Sequence, residues 1–259
     1  MEKQKVKGNN KRPVLIFDVF KTLILFDGDY VDDNTYDFIA KWLAYRGYPV
    51  NSEIVKELYT KYYQIHLSKS NSPFPDVDAF NVWKDIFSVV GIKDNLDEFS
   101  KEVCLIWRQI TTHHIEIYPR TIEMLESCQK AGFKLVVASN TQRAYTEYEL
   151  AMLGLDSYFE AIYFSSDFGV CKPDRTFFEK VLLDIGEIPS NVMYIGDNPF
   201  DDVKGALTLD IPTILLERGT VPKIKEELPE PYVTIFNNEV EKVAVFAKEH
   251  FLIKREEQD

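Results

Sequence analysis

Short apolar runs that stop at polar residues recur along the chain. Val14-Leu15-Ile16-Phe17 ends at Asp18, residues 135–138 end at Ser139-Asn140, residues 161–164 at Ser165, and residues 192–195 at Gly196-Asp197. Four consecutive apolar residues without alternation predict strands covered on both faces, as in a parallel sheet. Further strands are predicted over residues 213–216 and 232–235. Between them, helical spacing predicts helices over 121–131, where Ile122, Leu125 and Cys128 share a face and Gly132 is a stop, over 141–152, and over 174–185 ahead of Gly186. Asn198-Pro199 opens another, with Asn as cap and Pro at the first helical position, and a closing helix is predicted from about 240 to 254. Alternating strands and helices are the pattern of an α/β, doubly wound, Rossmann-like parallel sheet. In such a sheet ligands bind beyond the carboxyl ends of the strands, where these polar residues fall.

One stretch breaks the alternation. From residue 32 to 111 the apolar positions follow helical spacing only, in aromatic-rich segments: Tyr36, Ile39, Trp42 and Leu43 before Gly47, then 54–65, 77–90 and 96–110, with Pro73 and Pro75 in the loop 68–76. The chain therefore divides into a disordered, slightly basic tail (1–13), a Rossmann-like core (14–28 and 114–259) and an inserted α-helical cap (29–113). The cap leaves the core just after the first strand and returns near Tyr118-Pro119, which suits a lid over the strand ends. Asp27-Gly28 is predicted to make a hairpin turn on the way in.

Composition narrows the function. With 259 residues, 45% of them apolar, the chain can bury a sizeable core. The net charge of −12, from 30 basic and 42 acidic side chains, argues against nucleic acid and anionic membranes as partners. It leaves room for a locally cationic pocket and a small anionic substrate. No apolar stretch approaches the length of a membrane span, and the first 13 residues have no apolar segment of signal-peptide type. Cys104, Cys128 and Cys171 are odd in number and lack metal-ligand spacing, which fits reduced thiols in the cytoplasm. His66, His113, His114 and His250 also lack ligand spacing and are assigned no chemistry.

The polar residues at the strand ends form an ordered series: Asp18 and Thr22, Ser139 and Asn140, Lys172 ahead of Pro173, then Gly196-Asp197 with Asp201 and Asp202. Each has a plain structural reading. Asp18 can cap a turn, Lys172 can be a surface lysine, and the acidic run can favour the start of a helix. If Asp18, Asp197 and one of Asp201 or Asp202 converge, their charges repel unless a hard cation lies between them, and Mg2+ is the natural occupant. Taken together, the four segments, in this order and with a helical insert after the first, resemble the haloacid dehalogenase superfamily over residues 14 to about 216. Most members of that superfamily are phosphatases with an aspartate nucleophile.

The resemblance implies the following roles. Asp18 attacks phosphorus, and Mg2+ is held by Asp18, Asp197 and the main-chain carbonyl of Phe20. Asp202, whose spacing fits better than that of Asp201, orients a water on the metal. Ser139 hydrogen-bonds the transferring phosphoryl group, Lys172 balances its charge, and Thr22 and Asn140 complete the cradle for the substrate.

Phe20 departs from the pattern. Phosphatases of the superfamily usually carry a second aspartate at this place, two residues beyond the nucleophile, which protonates the leaving group. Without it, substrates whose leaving group needs no proton, such as aryl or acyl phosphates, are favoured. An aromatic residue here instead resembles the 2-haloacid dehalogenase branch, in which Asp18 would displace halide without a metal. That branch, however, lacks the Gly196-Asp197 pair retained here. The expected function is thus a Mg2+-dependent phosphatase of a small phosphorylated metabolite. A metal-free 2-haloacid dehalogenase is the alternative, and a non-catalytic interaction protein on this fold is a third reading. Lys21, where the family has glycine, is expected to be solvated or to touch the lid.

Overall fold

A computed structural model describes residues 12–218, 232–236 and 239–256, so the expected tail falls outside the described residues except for Arg12 and Pro13. β1 (Val14–Phe17) pairs in parallel with β4 (Lys134–Ser139) on one side and β6 (Val192–Gly196) on the other, placing Phe17 opposite Val137 and Ile195. β5 (Ala161–Phe164) flanks β4, and β7 (Thr213–Glu217) and β8 (Tyr232–Phe236) extend the sheet beyond β6. The order is β5-β4-β1-β6-β7-β8, with every pairing parallel.

All residues of β1 and β6 are buried, which explains why their apolar runs do not alternate. Leu15 and Phe17 pack with Leu125 of α5 (Thr121–Lys130), Leu150 of α6 (Arg143–Met152) and Ala247 of α10 (Lys242–Glu256). Val14 and Ile16 pack on the opposite face with Phe177 and Val181 of α8 (Arg175–Ile185) and Ala206 of α9 (Gly205–Leu207). Helices on both faces make the sheet doubly wound, as the pattern predicts. A short helix, α7 (Ser165–Phe168), follows β5 directly and has no signal in the apolar periodicity.

Two local expectations are corrected. The segment opening at Asn198 is not a regular α-helix: Pro199–Lys204 forms a π-helical turn ahead of α9. The amides of Asp202 and Val203 both donate to the Asn198 carbonyl, at 2.8 and 3.3 Å. The widened turn accompanies a fully buried Asp202 beside an only partly buried Asp201. Asp27-Gly28 is likewise not a hairpin turn. It ends β2 (Ile24–Gly28), which pairs antiparallel with β3 (Thr112–Ile117), so the partner strand comes from the far end of the insert. Glycine serves close packing there, since a Cβ on Gly28 would lie 2.3 Å from the Phe26 ring.

Between β2 and β3 the chain forms α1 (Asp33–Tyr45), α2 (Ser52–Leu67), α3 (Ala79–Val90) and α4 (Leu96–Thr111), close to the predicted spans. Asp32, Asn51 and Asp78 cap the first three by accepting from main-chain amides. Their apolar stripes meet in a separate core around Ile39, Leu43, Trp83, Phe87 and Val103. Trp83 and Phe87 are almost completely buried there. Beyond the β2–β3 ribbon, the α2–α3 loop crosses to the core: the Cys171 amide donates to the Phe74 carbonyl at 2.8 Å and the Asp76 amide to the Gly169 carbonyl at 3.2 Å. Among the described residues, no helix is long and apolar enough to cross a membrane.

Candidate active site

Parallel pairing delivers the polar strand ends to one place. The Asp18 amide donates to the Ile195 carbonyl at 2.8 Å, which carries the β1–β6 register one residue past the strand and sets Asp18 beside Gly196-Asp197. Ser139 closes β4 next door, and Lys172 arrives on the loop after α7. A cavity of about 750 Å3 opens here, and Asp18, Phe20, Ser139, Asn140, Lys172, Asp197, Asp201 and Asp202 all line it. Eight of the nine residues singled out in the sequence thus share one cavity. Thr22 is the ninth. It is fully buried and turns its hydroxyl toward both acids, 3.2 Å from Asp197 Oδ1 and 3.4 Å from Asp18 Oδ2, so it acts on the carboxylates rather than on the cavity.

Lys172 organises the group. Its Nζ donates to Asp18 Oδ1 at 2.7 Å, to Asp202 Oδ1 at 2.6 Å and to the Tyr194 hydroxyl at 2.8 Å, which uses all three ammonium hydrogens. The Tyr194 hydroxyl in turn donates to the Ala138 carbonyl at 2.6 Å. Asn140 embraces the main chain of the same residue, accepting from the Lys172 amide at 2.8 Å and donating to its carbonyl at 3.0 Å. Asn140 therefore positions the lysine, with both ends of its amide engaged. The second oxygen of Asp202 accepts from the Asn198 amide at 2.9 Å. Asp201 instead accepts from the Asn198 side chain at 2.7 Å, outside the group.

The electrostatics follow from burial. Lys172 is 3% exposed; burial disfavours its ammonium, but Asp18 and Asp202 outweigh that cost and hold its pKa well above the ordinary lysine value. Burial together with the charges of Asp18 and Asp202 pushes Asp197 up to about 8. Burial pushes Asp202 up to about 6 despite Lys172. Carboxylate oxygens of Asp18, Asp197 and Asp202 lie within 4.8 Å of one another. An all-oxygen donor set this close and this deeply buried fits a hard divalent cation.

Two participants had weaker sequence signals. Tyr194 sits inside the apolar run of β6, where a lone phenol is easily read as core. Arg218 follows β7, and a charge just after a buried run is the same cue that marks Asp18. It is 4% exposed, and it donates to the Thr22 carbonyl at 2.9 Å and to the Thr121 hydroxyl at 3.2 Å. Burial pulls its pKa down to about 10. Arg218 thereby anchors, from below, the loop that carries Asp18 and Thr22.

Comparison with known proteins agrees with this geometry. The sequence profile of the haloacid dehalogenase-like hydrolases matches residues 81–216, more than half of the chain. The chain belongs to this family. The matched region carries Ser139, Lys172 and Asp197, while Asp18 lies ahead of it and joins them through the β1 pairings. Among curated relatives, the haloacid dehalogenase-like hydrolase domain-containing protein 3 of Xenopus laevis is 28% identical over 155 residues, covering 58% of this chain and 63% of its own. A phosphoserine phosphatase of Thermus thermophilus is 28% identical over 114 residues, covering 44% and 46%. The chain thus spans less than two thirds of the length of either relative. The structure of a 2-haloacid dehalogenase from Pseudomonas syringae shares the fold, with a TM-score of 0.60 at 22% identity over 92% of this chain and 99% of that one.

Two predictions follow from the packing and charge of this family member's site. A Cβ on Gly196 would lie 2.2 Å from Asp202 Oδ2, so Gly196→Ala is expected to displace Asp202 from Lys172 and cost about 1–3 kcal/mol in urea unfolding. Between pH about 4 and about 8 the folded chain keeps a proton on Asp197 that the unfolded chain has released, so this group's contribution to stability falls as pH rises through that window. In chelator, Asp197→Asn should therefore melt above the wild type. The gap should widen from pH 5.5 to 8 by at most about 4 °C per pH unit in thermal scans. A gap independent of pH would contradict this assignment.

Proposed function

We propose that the chain is a Mg2+-dependent phosphohydrolase that acts on a small phosphate ester through an aspartyl-phosphate on Asp18. The observation that carries this reading is the buried meeting of Asp18, Asp197 and Asp202 with a single lysine contacting two of them, a group short of positive charge at the floor of a cavity. Asp18 and Asp197 would hold the ion, while Asp202 accepts through one oxygen from Lys172 and through the other from the Asn198 amide. When bound, the metal neutralises charge on the phosphoryl oxygens and on the two acids. Asp202 then serves mainly to hold Lys172, a change from the water-orienting role implied by resemblance.

The chain's own groups divide the work. Lys172 and Thr22 hold Asp18 in place, at Oδ1 and Oδ2 respectively, for attack of its carboxylate on phosphorus. The new Asp18–phosphorus bond forms as the bond from phosphorus to the leaving oxygen breaks, and water later cleaves the acyl phosphate to regenerate the carboxylate. Ser139, at the edge of the cavity, donates to the transferring group. Phe20 has no proton to give, and its ring lies 4.9 Å from that of Phe26 on the cavity wall. An apolar wall in place of an acid suits aryl or acyl phosphates, whose leaving oxygen departs unprotonated.

Phe20 also favours the second reading, displacement of halide from a 2-haloacid by the same Asp18. One assay separates the two. Phenyl phosphate with Mg2+ is expected to turn over at least about 10²-fold faster than butyl phosphate, with activity lost on adding chelator and in Asp18→Asn. Equal rates on the two esters would refute the leaving-group argument. Chloride release from 2-chloropropionate in chelator would replace the phosphatase by the dehalogenase.

A further inference from the structure

Arg108 is a cation buried away from the carboxylate group. It comes from α4 and is 5% exposed. Its Nε and Nη2 donate to the two oxygens of Glu149 on α6, at 2.5 and 3.2 Å, and its Nη1 donates to Asp29 at 2.9 Å. This fork fixes the plane of the guanidinium. The plane is covered by rings: the guanidinium carbon lies 4.9 Å from the centre of Phe20, 3.9 Å from Phe26 and 4.6 Å from Tyr145.

Those rings belong to two different spaces. Phe20 and Phe26 line the cavity of about 750 Å3 that holds Asp18. Tyr145, with Tyr59, Trp83 and Trp107, lines a second cavity of about 180 Å3 between the insert and α6. Arg108 touches the lining of both and lines neither.

We propose that Arg108 is the partition between the two cavities and sets how far the substrate's leaving group can extend along the Phe20–Phe26 wall. Removing its side chain joins an aromatic chamber to the outer cavity, and an extended aryl group then gains rings to pack against. The ester comparison rests on the phosphatase reading; the position of the partition does not.

The test uses two double variants of the full chain, because Glu149 left without its cation is a buried unpaired charge. Arg108→Ala with Glu149→Gln opens the wall, and Arg108→Met with Glu149→Gln refills it without charge. Relative to phenyl phosphate, kcat/KM for 4-biphenylyl phosphate should rise at least 10-fold in the alanine variant, mainly through KM, and stay within about 3-fold of the wild-type ratio in the methionine variant. Independently, 4-nitrophenol, corrected for its own absorbance, should quench Trp83 and Trp107 emission in the alanine variant only. An unchanged ester ratio in a folded alanine variant, an equal change in the methionine variant, or quenching in the wild type overturns the proposal. Quenching confined to the alanine variant with no ester turned over by any form supports the partition and removes the phosphatase reading.

Discussion

The repulsion among three buried carboxylates is the constraint around which the core is arranged. Asp18, Asp197 and Asp202 are each at most 7% exposed and come within ligand distance of one another. One lysine contacts only two of them, and burial together with the charges of Asp18 and Asp202 lets Asp197 keep its proton up to about 8. Such a group persists only where the surrounding packing over-determines it. The means are visible: two parallel pairings clamp β1, the Asp18 amide prolongs one of them, and Arg218 ties the loop beneath through the Thr22 carbonyl. Tyr194, Asn140 and the Asn198 amide hold Lys172 and Asp202 in place.

This arrangement separates rigidity from selectivity. The charged floor belongs to the sheet, whose central strands are buried on both faces, so that a shift by one residue would exchange the side chains that pack in its two cores. The aromatic wall is drawn from elsewhere: Phe20 from the loop after β1, Phe26 from the ribbon, and Arg108 behind them from the insert. The insert has its own core around Trp83 and Phe87 and meets the Lys172 loop through main-chain bonds from residues 74 and 76. Its placement therefore bears on both the wall and the lysine, while the carboxylates keep the positions set by strand pairing.

Membership of the haloacid dehalogenase-like hydrolases and the geometry of the carboxylates inform different parts of the question. The family match covers the segments of Ser139, Lys172 and Asp197. Strand pairing adds Asp18, which lies outside the match. Phe20, two residues beyond Asp18, has its ring built into a stack with Phe26 and Arg108.

Residue pattern alone determined the sheet and the helical insert, because each is written locally, and it marked the polar residues at the strand ends, whose joint use was read from a resemblance. An unbroken apolar run marks a strand covered on both sides, and the polar residue that stops it must emerge at the strand's end. Tertiary structure decided how those residues are used. Thr22 and Asn140 proved to brace Asp18, Asp197 and Lys172, Asp202 rather than Asp201 turned inward on a π-helical turn, and Asp27-Gly28 became a strand end. Tyr194, Arg218 and Arg108 entered only through contacts with residues 22 to 196 positions away. The physical reason is that a hydrogen bond or ion pair between distant segments leaves no periodicity in either of them, whereas burial of a whole strand or helix face does.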